Sequence, residues 1–368
     1  MTWKRKIKSE KLKSERLNYL RQQIDFLDQK IIHLIDQRMA LAVQTSRAKK
    51  KIQDKKREKI ILSRVKKFCL PFLSENFTEK IIKTIMRESK QLQRNGLKLI
   101  GFQGERGAYG ELAASIFNRH LKPVPCPDFI DVFRGVEYGW FDYGIVPVEN
   151  SIEGQVSSVN DLFIESDLKI VGEVILPIHH CLLTLPGQSL SQISLVLSHP
   201  QALAQCKKFL KKHHLEPQPF YDTAGAARMI SETRTPGLAA IAGKNCAQVY
   251  GLSILAENIE DFPFNQTRFL ILARKIKTDG HKCSVVFSVR HRPGSLCQML
   301  SLFSRHDINL TRIESRPNKT RPGEYFFLID FEASIRQSKI KKVLNQLEKQ
   351  ATFYRFLGCY KNFRPSTL

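Results

Sequence analysis

The sequence predicts a multidomain protein with an all-helical N-terminal part, a two-lobed α/β middle part and a small α+β C-terminal part. Its 368 residues exceed the usual size of one domain, which is roughly 100–200 residues. Apolar residues recur at helical spacing from residue 12 to about residue 94. Beyond that point short apolar runs alternate with helical segments. We expect domains over residues 1–96, 97–275 and 283–368.

The N-terminal part is predicted to contain one long helix and two shorter ones. Residues 17–41 carry an apolar face without Gly or Pro, and a second periodic stretch covers residues 60–68 and ends near Pro71. A third runs from about residue 78 to 92, with Gly96 as its C-terminal cap. Three such helices cannot bury their apolar faces well alone, so we expect an intertwined homodimer.

The middle part reads as alternating strands and helices. A strand, a glycine-rich turn and a helix come first, and further apolar runs are separated by helical segments such as "QALAQCKKFLKKH". This alternation is typical of a doubly wound domain with a cleft between two lobes. The predicted strands lie within "LKLIGF", "DYGIVPVENS", "LKIVGEVIL", "HHCLLTL", "SLVLSHP", "LAAIAG" and "TRFLILAR".

The C-terminal part follows the polar linker "KIKTDGHK" and has the order strand, helix, strand, strand, helix, strand. This βαββαβ order is that of the ferredoxin-like arrangement. Its six segments are "CSVVFSVR", "PGSLCQMLSLFSRHD", "INLTRIESRP", "EYFFLIDFEA", "KIKKVLNQLEKQ" and "YRFLGCY".

The charge is strongly positive and unevenly distributed. The formal net charge is +24, and residues 1–98 hold 27 Lys and Arg against 10 Asp and Glu, a net +17. Such a basic segment suits a nucleic-acid binder, a site for small polyanions or a general lysine bias. No helix-turn-helix, zinc-finger, RRM or KH pattern accompanies it, so we do not expect nucleic-acid binding as the main function.

Cysteine usage and hydropathy indicate the compartment. Eight cysteines are scattered without a CxxC pair or a metal-like cluster, which is typical of a reduced, cytoplasmic protein without bound metal. The basic N-terminus lacks the apolar core of a signal peptide, and no stretch approaches the length of a membrane span.

Polar residues of the helical part form a candidate polyanion site. Arg38 and Lys49 are eleven residues apart, about 1100° at roughly 100° per residue, and therefore share a face. Arg21 falls on a different face, from which it could serve the site of a partner subunit. The remaining candidates are the i,i+4 pairs Asp54 with Glu58 and Ser89 with Gln93, together with Arg57.

The glycine-rich stretch "GFQGERGAYGELAA" lies between a strand and a helix. It is not GxGxxG and no acidic ribose contact follows, so a nicotinamide cofactor is not expected. Backbone N–H groups at such a position can hold an anion. Further polar stretches follow: "PVENSIEG", "SHPQALAQC", "YDTAGAA" and "TRF".

These motifs, in this order, resemble the bifunctional chorismate mutase/prephenate dehydratase family over about residues 12–362. The helical part, from "LRQQIDFLDQKIIHLIDQRMALAVQTSRAKK" to "RESKQLQ", is similar to a chorismate mutase domain. The middle part is similar to prephenate dehydratase, whose architecture is that of periplasmic binding proteins. The last part is similar to an ACT regulatory domain. The resemblance implies two enzymatic activities without a cofactor.

The resemblance also implies roles in the mutase site. Arg38 and the partner subunit's Arg21 would hold the carboxylates, and Arg57 and Ser89 would position the substrate. Lys49 and Gln93 would address the ether oxygen, whereas Glu58, with Asp54 nearby, would address the ring hydroxyl. Two features depart from the family pattern. The connection after Lys49, residues 50–53, is shorter by roughly four residues, about one helical turn, and the basic extension of residues 1–11 has no counterpart.

For the dehydratase, the resemblance places Thr267 at the leaving hydroxyl, where it either protonates it or only hydrogen-bonds to it. Arg268 would bind a carboxylate or hold the cleft, and Glu149 is either catalytic or a structural partner. Polar residues expected around the substrate are Asn150, Ser151, Ser198, Gln205 and Thr223.

The stretches "PGSLCQML" and "NLTRIESRP" resemble those that contact phenylalanine in ACT domains. The family often has Ala and Val where this chain has Ser295 and Cys297, both small, so binding and feedback inhibition are expected. A second hypothesis is an amino-acid sensor that binds ligand without turnover. The expected phenylalanine-binding residues are Gly294, Ser295, Leu296, Asn309, Glu314, Ser315, Arg316 and Pro317.

Overall fold

The computed structural model describes residues 2–49, 51–67, 71–276 and 279–363, with side chains from residue 13 onwards. Lys50 in the shortened connection, Phe68 of the second predicted helix, Cys69 and residues 364–368 of the predicted C-terminal domain lie outside these ranges. So do the side chains of the N-terminal extension. The chain divides into two compact units, residues 1–97 and residues 98–368.

The first unit contains three helices, as predicted. Ser74 caps the third helix by accepting a hydrogen bond from the Phe77 N–H, so this helix starts three residues before the predicted start. Gly96 follows its end with φ +60°, the conformation expected of a helix-terminating glycine. The helices are α1 (Thr2–Ala48), α2 (Lys55–Lys66) and α3 (Glu75–Arg94).

The dehydratase-like part of the second unit contains seven α-helices, one 3₁₀ turn (Leu190–Gln192) and eleven strands. The helices are α4 (Tyr109–Phe117), α5 (Phe129–Glu137), α6 (Ser157–Glu165), α7 (Pro200–Gln205), α8 (Lys207–Lys212), α9 (Thr223–Thr233) and α10 (Lys244–Tyr250). The strands are β1 (Leu99–Gln103), β2 (Lys122–Cys126), β3 (Tyr143–Asn150), β4 (Gly154–Gln155), β5 (Lys169–Pro177), β6 (Cys181–Thr184), β7 (Leu195–Ser198), β8 (Glu216–Pro219), β9 (Leu238–Ala242), β10 (Ser253–Ala256) and β11 (Gln266–Ala273).

The C-terminal part of this unit has the predicted βαββαβ order. Its elements are β12 (Lys282–Ser288), α11 (Ser295–Ser304), β13 (Leu310–Pro317), β14 (Tyr325–Glu332), α12 (Ser338–Gln350), β15 (Phe353–Tyr360) and the short β16 (Asn362–Phe363). The sheet order β13-β14-β12-β15 is that of a ferredoxin-like domain.

Two separate sheets form the two lobes of the dehydratase-like part. One has the order β16-β5-β11-β3-β1-β2 with β4 beside β3, and the other has the order β10-β6-β9-β7-β8. Strands β2 and β8 escaped the sequence analysis because "KPVPC" and "EPQP" are rich in proline. Both are edge strands, the position at which a sheet tolerates residues without an N–H donor.

The C-terminal domain is joined to the first lobe by more than the linker. Strand β16 pairs in parallel with β5, so the last described residues of the chain extend the sheet of the dehydratase-like part. At Gly358 on β15, an added Cβ would stand 2.2 Å from the Ile170 carbonyl oxygen on β5. Only glycine permits this close backbone approach.

Candidate functional site

The helical unit brings part of the expected polyanion site together. Arg38 on α1 donates a hydrogen bond from Nη1 to Ser89 Oγ on α3 at 2.7 Å, and Ser89 is buried. Burial lowers the pKa of the Arg38 guanidinium, which nevertheless remains charged at neutral pH. Gln93 Nε2, one turn beyond Ser89, donates to the Ala42 carbonyl on α1 at 2.5 Å.

The expected carboxylates have partners of their own. Glu58 accepts two hydrogen bonds of 3.2 Å from Lys90 Nζ, a cation that the sequence analysis missed although it directly follows Ser89. Asp54 caps α2 by accepting a hydrogen bond from the Arg57 backbone N–H at 2.9 Å. This cap gives Asp54 a structural role. Of the two expected carboxylates, Glu58 is the one that contacts Lys90.

Three expected cations remain on the surface of the helical unit. The side chains of Arg21, Lys49 and Arg57 are exposed. The roles expected for them remain predictions.

The second unit contains a cavity of about 560 Å³ between the two lobes, within the usual size range of small-molecule sites. The C-terminal ends of β1 and β3 and the start of β11 line one side of it. The starts of α7 and α9 line the other side. The polar residues that line it are Gln103, Tyr109, Asn150, Glu153, Gln155, His180, His199, Gln201, Gln205, Tyr221, Asp222, Thr223, Asn265 and Thr267.

The cavity offers helix N-termini to an anion in place of formal positive charge. None of the described residues that line it is Lys or Arg. The first turns of α4, α6 and α9, or the residues that precede them, all border the cavity. Backbone N–H groups and the helix dipole make such ends favourable for anions.

Thr267 occupies the position at the cavity that the sequence predicted. Strand β11 places Thr267 and Phe269 on the cavity face, since alternate residues of a strand share a face. Asn150 Nδ2, on the neighbouring strand β3, donates to Thr267 Oγ1 at 2.9 Å. Asn150 Oδ1 accepts the backbone N–H groups of residues 152 and 153, both at 3.0 Å, which fixes the orientation of its amide.

A chain of hydrogen bonds continues from Asn150 across the cavity. Asn150 Nδ2 donates to Asn265 Oδ1 at 2.8 Å, and Asn265 Nδ2 donates to Gln205 Oε1 at 3.0 Å. Since Gln205 Oε1 can only accept, the His180 Nε2 that lies 2.9 Å from it carries a hydrogen. The other ring nitrogen, His180 Nδ1, lies 3.2 Å from the Tyr109 hydroxyl.

Burial sets the charge states in this chain. It lowers the pKa of His180, which is 2% exposed, so the imidazole is neutral at pH 7. Glu260 accepts hydrogen bonds from His179 Nδ1 at 2.7 Å and from the His180 backbone at 2.9 Å. Burial would raise the pKa of Glu260, but these hydrogen bonds outweigh it and hold that pKa below its ordinary value. At the cavity wall, burial raises the pKa of Asp222, the N-cap of α9.

Two expected substrate ligands support the cavity from behind and do not line it. Ser198 is fully buried, and its hydroxyl donates to the Ile241 carbonyl on β9 at 2.6 Å. Ser151 Oγ donates to the Phe264 carbonyl and accepts from the Gln266 N–H, which holds the segment before β11. Hydrogen bonds within the fold engage both hydroxyls, and the substrate contacts expected of these residues remain predictions. Asn150, Gln205 and Thr223 do line the cavity.

Arg268, expected to bind a carboxylate or to hold the cleft, does not line the cavity, because β11 turns its side chain to the opposite face. It is 8% exposed and donates to Glu173 Oε2 at 2.5 Å and to Asp330 Oδ2 at 2.6 Å, and so joins β5 to β14 of the C-terminal domain. Burial would lower the pKa of Arg268, but Asp330, Tyr360 and Glu173 together raise it. Glu149 lies 3.9 Å from this guanidinium and does not line the cavity, which favours its structural role.

The expected effector residues lie at the start of α11 and along β13. Gly294 has φ +82° and precedes α11, where Ser295 and Leu296 form the first turn. On the other stretch, Asn309 donates to Glu332 Oε2 at 3.2 Å, and Arg316 forms an ion pair of 2.7 Å with Asp161 on α6. Arg316 therefore has a partner in the dehydratase-like part that the sequence analysis missed. The remaining three, Glu314, Ser315 and Pro317, lie on β13, an edge strand.

Other features of the described residues bear on function. No three His, Cys, Asp or Glu side chains among them are grouped as a metal site would require. No helix in the same ranges is both long and apolar enough to cross a membrane.

Comparison with known proteins identifies each of the three parts. The model of the chorismate mutase type II family matches residues 20–94, that of prephenate dehydratase residues 100–277, and that of the ACT domain residues 284–349. The fold and the cavity thus define a protein that combines a mutase domain, a dehydratase domain and a regulatory domain.

Relatives of known sequence and structure agree. The bifunctional chorismate mutase/prephenate dehydratase of Aquifex aeolicus is 36% identical over 94% of this chain and 98% of that protein. The prephenate dehydratase of Methanocaldococcus jannaschii is 42% identical over 70% of this chain and 96% of that protein. The solved prephenate dehydratase of Arthrobacter aurescens, in complex with L-Phe, is 32% identical and covers 72% of this chain and 89% of its own, with a TM-score of 0.66. The chain belongs to the bifunctional chorismate mutase/prephenate dehydratase family, which confirms the resemblance seen in the sequence.

The neutral state of His180 predicts a pH dependence of stability. The folded-state pKa lies below the unfolded value of about 6.5, so the unfolded chain binds this proton more readily. The contribution of the neutral His180 to the free energy of unfolding is therefore complete above about pH 6.5 and is lost as the pH falls below that value. We expect His180→Gln, whose amide can still donate to Gln205, to weaken the loss of urea resistance between about pH 7.5 and about pH 5.5.

The matched control for this prediction is His214→Asn at an exposed position with φ +54° that asparagine tolerates. It should retain the wild-type pH dependence. An unchanged pH dependence in His180→Gln would contradict the assignment of a neutral, buried His180.

Proposed function

We propose that this chain converts chorismate to prephenate in its helical unit and prephenate to phenylpyruvate in the cavity of its second unit. The observation that carries the second activity is the orientation of the Thr267 hydroxyl. Its oxygen accepts from Asn150, and among the described residues it has no acceptor for its own proton. That proton is therefore available to a substrate in the cavity.

The dehydration needs one proton and no redox partner. The bond between the ring and its carboxylate breaks and releases carbon dioxide, and the electron pair moves through the ring as it becomes aromatic. The ring hydroxyl leaves with the electrons of its C–O bond and takes up a proton to become water. Aromatisation supplies the driving force, so the site mainly has to assist departure of the hydroxyl.

The Thr267 hydroxyl suits this task as a hydrogen-bond donor. A threonine is a weak acid, and its pairing with the neutral amide of Asn150 provides no base that would return its proton. We therefore assign to Thr267 a hydrogen bond to the leaving oxygen. The carboxylates of prephenate would face the N-termini of α4 and α6, which have no side-chain cap and attract anions without formal charge.

For the mutase activity, the pericyclic rearrangement requires a site that folds a flexible dianion and stabilises charge on the breaking ether oxygen. Arg38, held by Ser89, is proposed to bind a carboxylate, and Glu58, held by Lys90, the ring hydroxyl. Lys49 and Gln93 are proposed to act at the ether oxygen, and Arg57 to help position the substrate.

Helix α1 supports a homodimer as the active form. Six large apolar residues along its middle part are between 46% and 56% exposed in the single chain: Leu17, Leu20, Ile24, Leu27, Ile31 and Leu34. A contiguous apolar face of this length marks a binding surface, and a second copy of α1 matches it in length and pattern. Such a dimer would carry the partner subunit's Arg21 to the mutase site.

Phenylalanine is the proposed effector, and the cytoplasm the proposed compartment. The Arthrobacter structure is a complex with L-Phe, and the stretches around Gly294 and along β13 are those expected to bind it here. The seven cysteines in the described ranges are free thiols, and six of them are buried, in line with a reducing compartment.

The first prediction concerns Lys49 in the mutase site. We expect Lys49→Ala to lower the mutase rate by about 10²–10³-fold, because a donor to the developing oxyanion is lost. Dehydration of added prephenate should be unaffected. The measurement follows chorismate loss and phenylpyruvate formation in separate assays, with Lys51→Ala at another exposed lysine as the control. A mutase rate near that of the wild type would remove Lys49 from the site.

The second prediction concerns Thr267. Thr267→Val preserves the shape of the side chain and removes its hydroxyl, and we expect dehydration to fall by about 10²-fold or more. Thr267→Ser retains the hydroxyl and should retain most activity. Given chorismate, the valine variant should accumulate prephenate. Normal formation of phenylpyruvate by Thr267→Val would contradict the proposed role of the Thr267 hydroxyl.

A further inference from the structure

Arg312, on β13 of the ACT domain, reaches the wall of the dehydratase cavity. Its side chain is only 4% exposed and crosses from the ACT domain to the dehydratase domain. Nε and Nη2 donate to Gln155 Oε1 at 3.0 and 2.8 Å, and Nη2 also donates to Asn160 Oδ1 at 2.5 Å. The ACT domain thus holds the Gln155 side chain of the dehydratase domain through two hydrogen bonds from one guanidinium group.

Gln155 is one of the residues that line the cavity. It belongs to the short strand β4, which pairs with β3 so that Gln155 stands opposite Glu149 and Gly154 opposite Asn150. Asn150 is the residue that donates to Thr267. Because Gln155 Oε1 accepts both bonds from Arg312, the amide can turn only its Nε2 hydrogens towards the cavity. Arg312 thereby fixes a neutral donor where an anionic substrate would bind.

A second contact connects Arg312 to the strand that carries Thr267. Arg312 Nη1 lies 3.6 Å from Asp330 Oδ2, and the same oxygen accepts from Arg268 Nη1 at 2.6 Å. Burial would raise the pKa of Asp330, but Arg268 and Arg312 outweigh it and lower that pKa to about 2. Asp330 is therefore ionised at all physiological pH values and stays bound to both guanidinium groups.

We infer that Arg312 is a positioning residue of the dehydratase reaction, which aims the Gln155 amide at the substrate. This inference rests on the proposed dehydratase function. It means that the ACT domain supplies part of the support of the active site in its own chain. It also places that support on β13, the strand expected to contact the effector, so a displacement of β13 would displace Gln155 as well.

The test is a double-mutant cycle in the full-length chain with prephenate as substrate. We expect Gln155→Ala and Arg312→Met each to lower kcat by about 10–100-fold, the usual effect of misplacing a group near the reacting atoms. The double variant should lose no more than either single variant, because the two residues act as one unit. The mutase rate of each variant, measured on the same sample, reports the concentration of chain with a folded helical unit, and the melting temperature of the second unit reports whether that unit is folded.

Two further variants separate positioning from structural support. Gln155→Glu retains an acceptor for Arg312 and removes the N–H donor, so it should lose as much dehydratase activity as Gln155→Ala with an unchanged melting temperature. Lys319→Ala breaks an exposed ion pair with Asp161 at the same junction and should leave both activities unchanged. If Arg312→Met does not fold, the kcat values of Gln155→Ala and Gln155→Glu still test the inference.

The outcomes are distinguishable. A wild-type chain that rearranges chorismate but does not turn over prephenate would remove the proposed dehydratase function and this inference with it. An active wild type whose Gln155 variants retain full kcat would overturn the inference alone. Losses that multiply in the double variant, accompanied by a fall in melting temperature for Arg312→Met only, would assign Arg312 a structural role and overturn it as well.

Discussion

The dehydratase site depends on a buried ion cluster behind the strand that carries Thr267. Arg268 joins Glu173 of the dehydratase sheet to Asp330 of the ACT domain, and Lys282 adds a second cation to Glu173 at 2.8 Å. Buried charges are expensive to remove from water, and loss of one partner leaves the others uncompensated. The cluster therefore fixes β11 in one position relative to both domains. Thr267 lies on the face of β11 that lines the cavity, and Arg268 lies on the opposite face, in the ion cluster.

On the cavity face of β11, oriented neutral hydrogen-bonding groups take the place of positively charged side chains. Two backbone N–H groups orient the Asn150 amide, Asn150 donates to the Thr267 hydroxyl and to Asn265, and Gln205 accepts from both Asn265 and His180. Each donor in this chain is satisfied by the next acceptor, which is how a buried polar network becomes rigid. Helix N-termini then supply the attraction for an anion. A site of this kind needs little reorganisation when the substrate arrives.

Much of this architecture could be predicted from periodicity and motif order. Helical spacing located α1 to α3, and the βαββαβ order of the ACT domain followed from apolar runs. Strands β2 and β8 could not be predicted, because both are rich in proline. A sheet accepts proline in an edge strand, and the sequence does not show which strands lie at an edge. Thr267, Asn150, Gln205 and Thr223, which the resemblance places around the substrate, line the cavity, and each lies at or near the end of a regular element.

The partners behind the cavity could not be predicted, because they are separated by long stretches of sequence. Strand alternation alone turns Arg268 away from Thr267, but nothing local indicates that Asp330, 62 residues away in sequence, is its partner. Ser198 and Ser151 are expected to contact substrate because they lie in stretches that resemble those of prephenate dehydratase. Their hydroxyls satisfy backbone groups that only the folded sheet brings near.

The most direct test of the account is a time course of the purified chain with chorismate, in which chorismate loss and phenylpyruvate formation are followed separately, with and without phenylalanine. The account predicts that both signals appear in the same preparation, that prephenate rises and then falls, and that phenylalanine suppresses phenylpyruvate formation. Loss of chorismate with prephenate as the only product, or phenylalanine binding without turnover of either substrate, would contradict it.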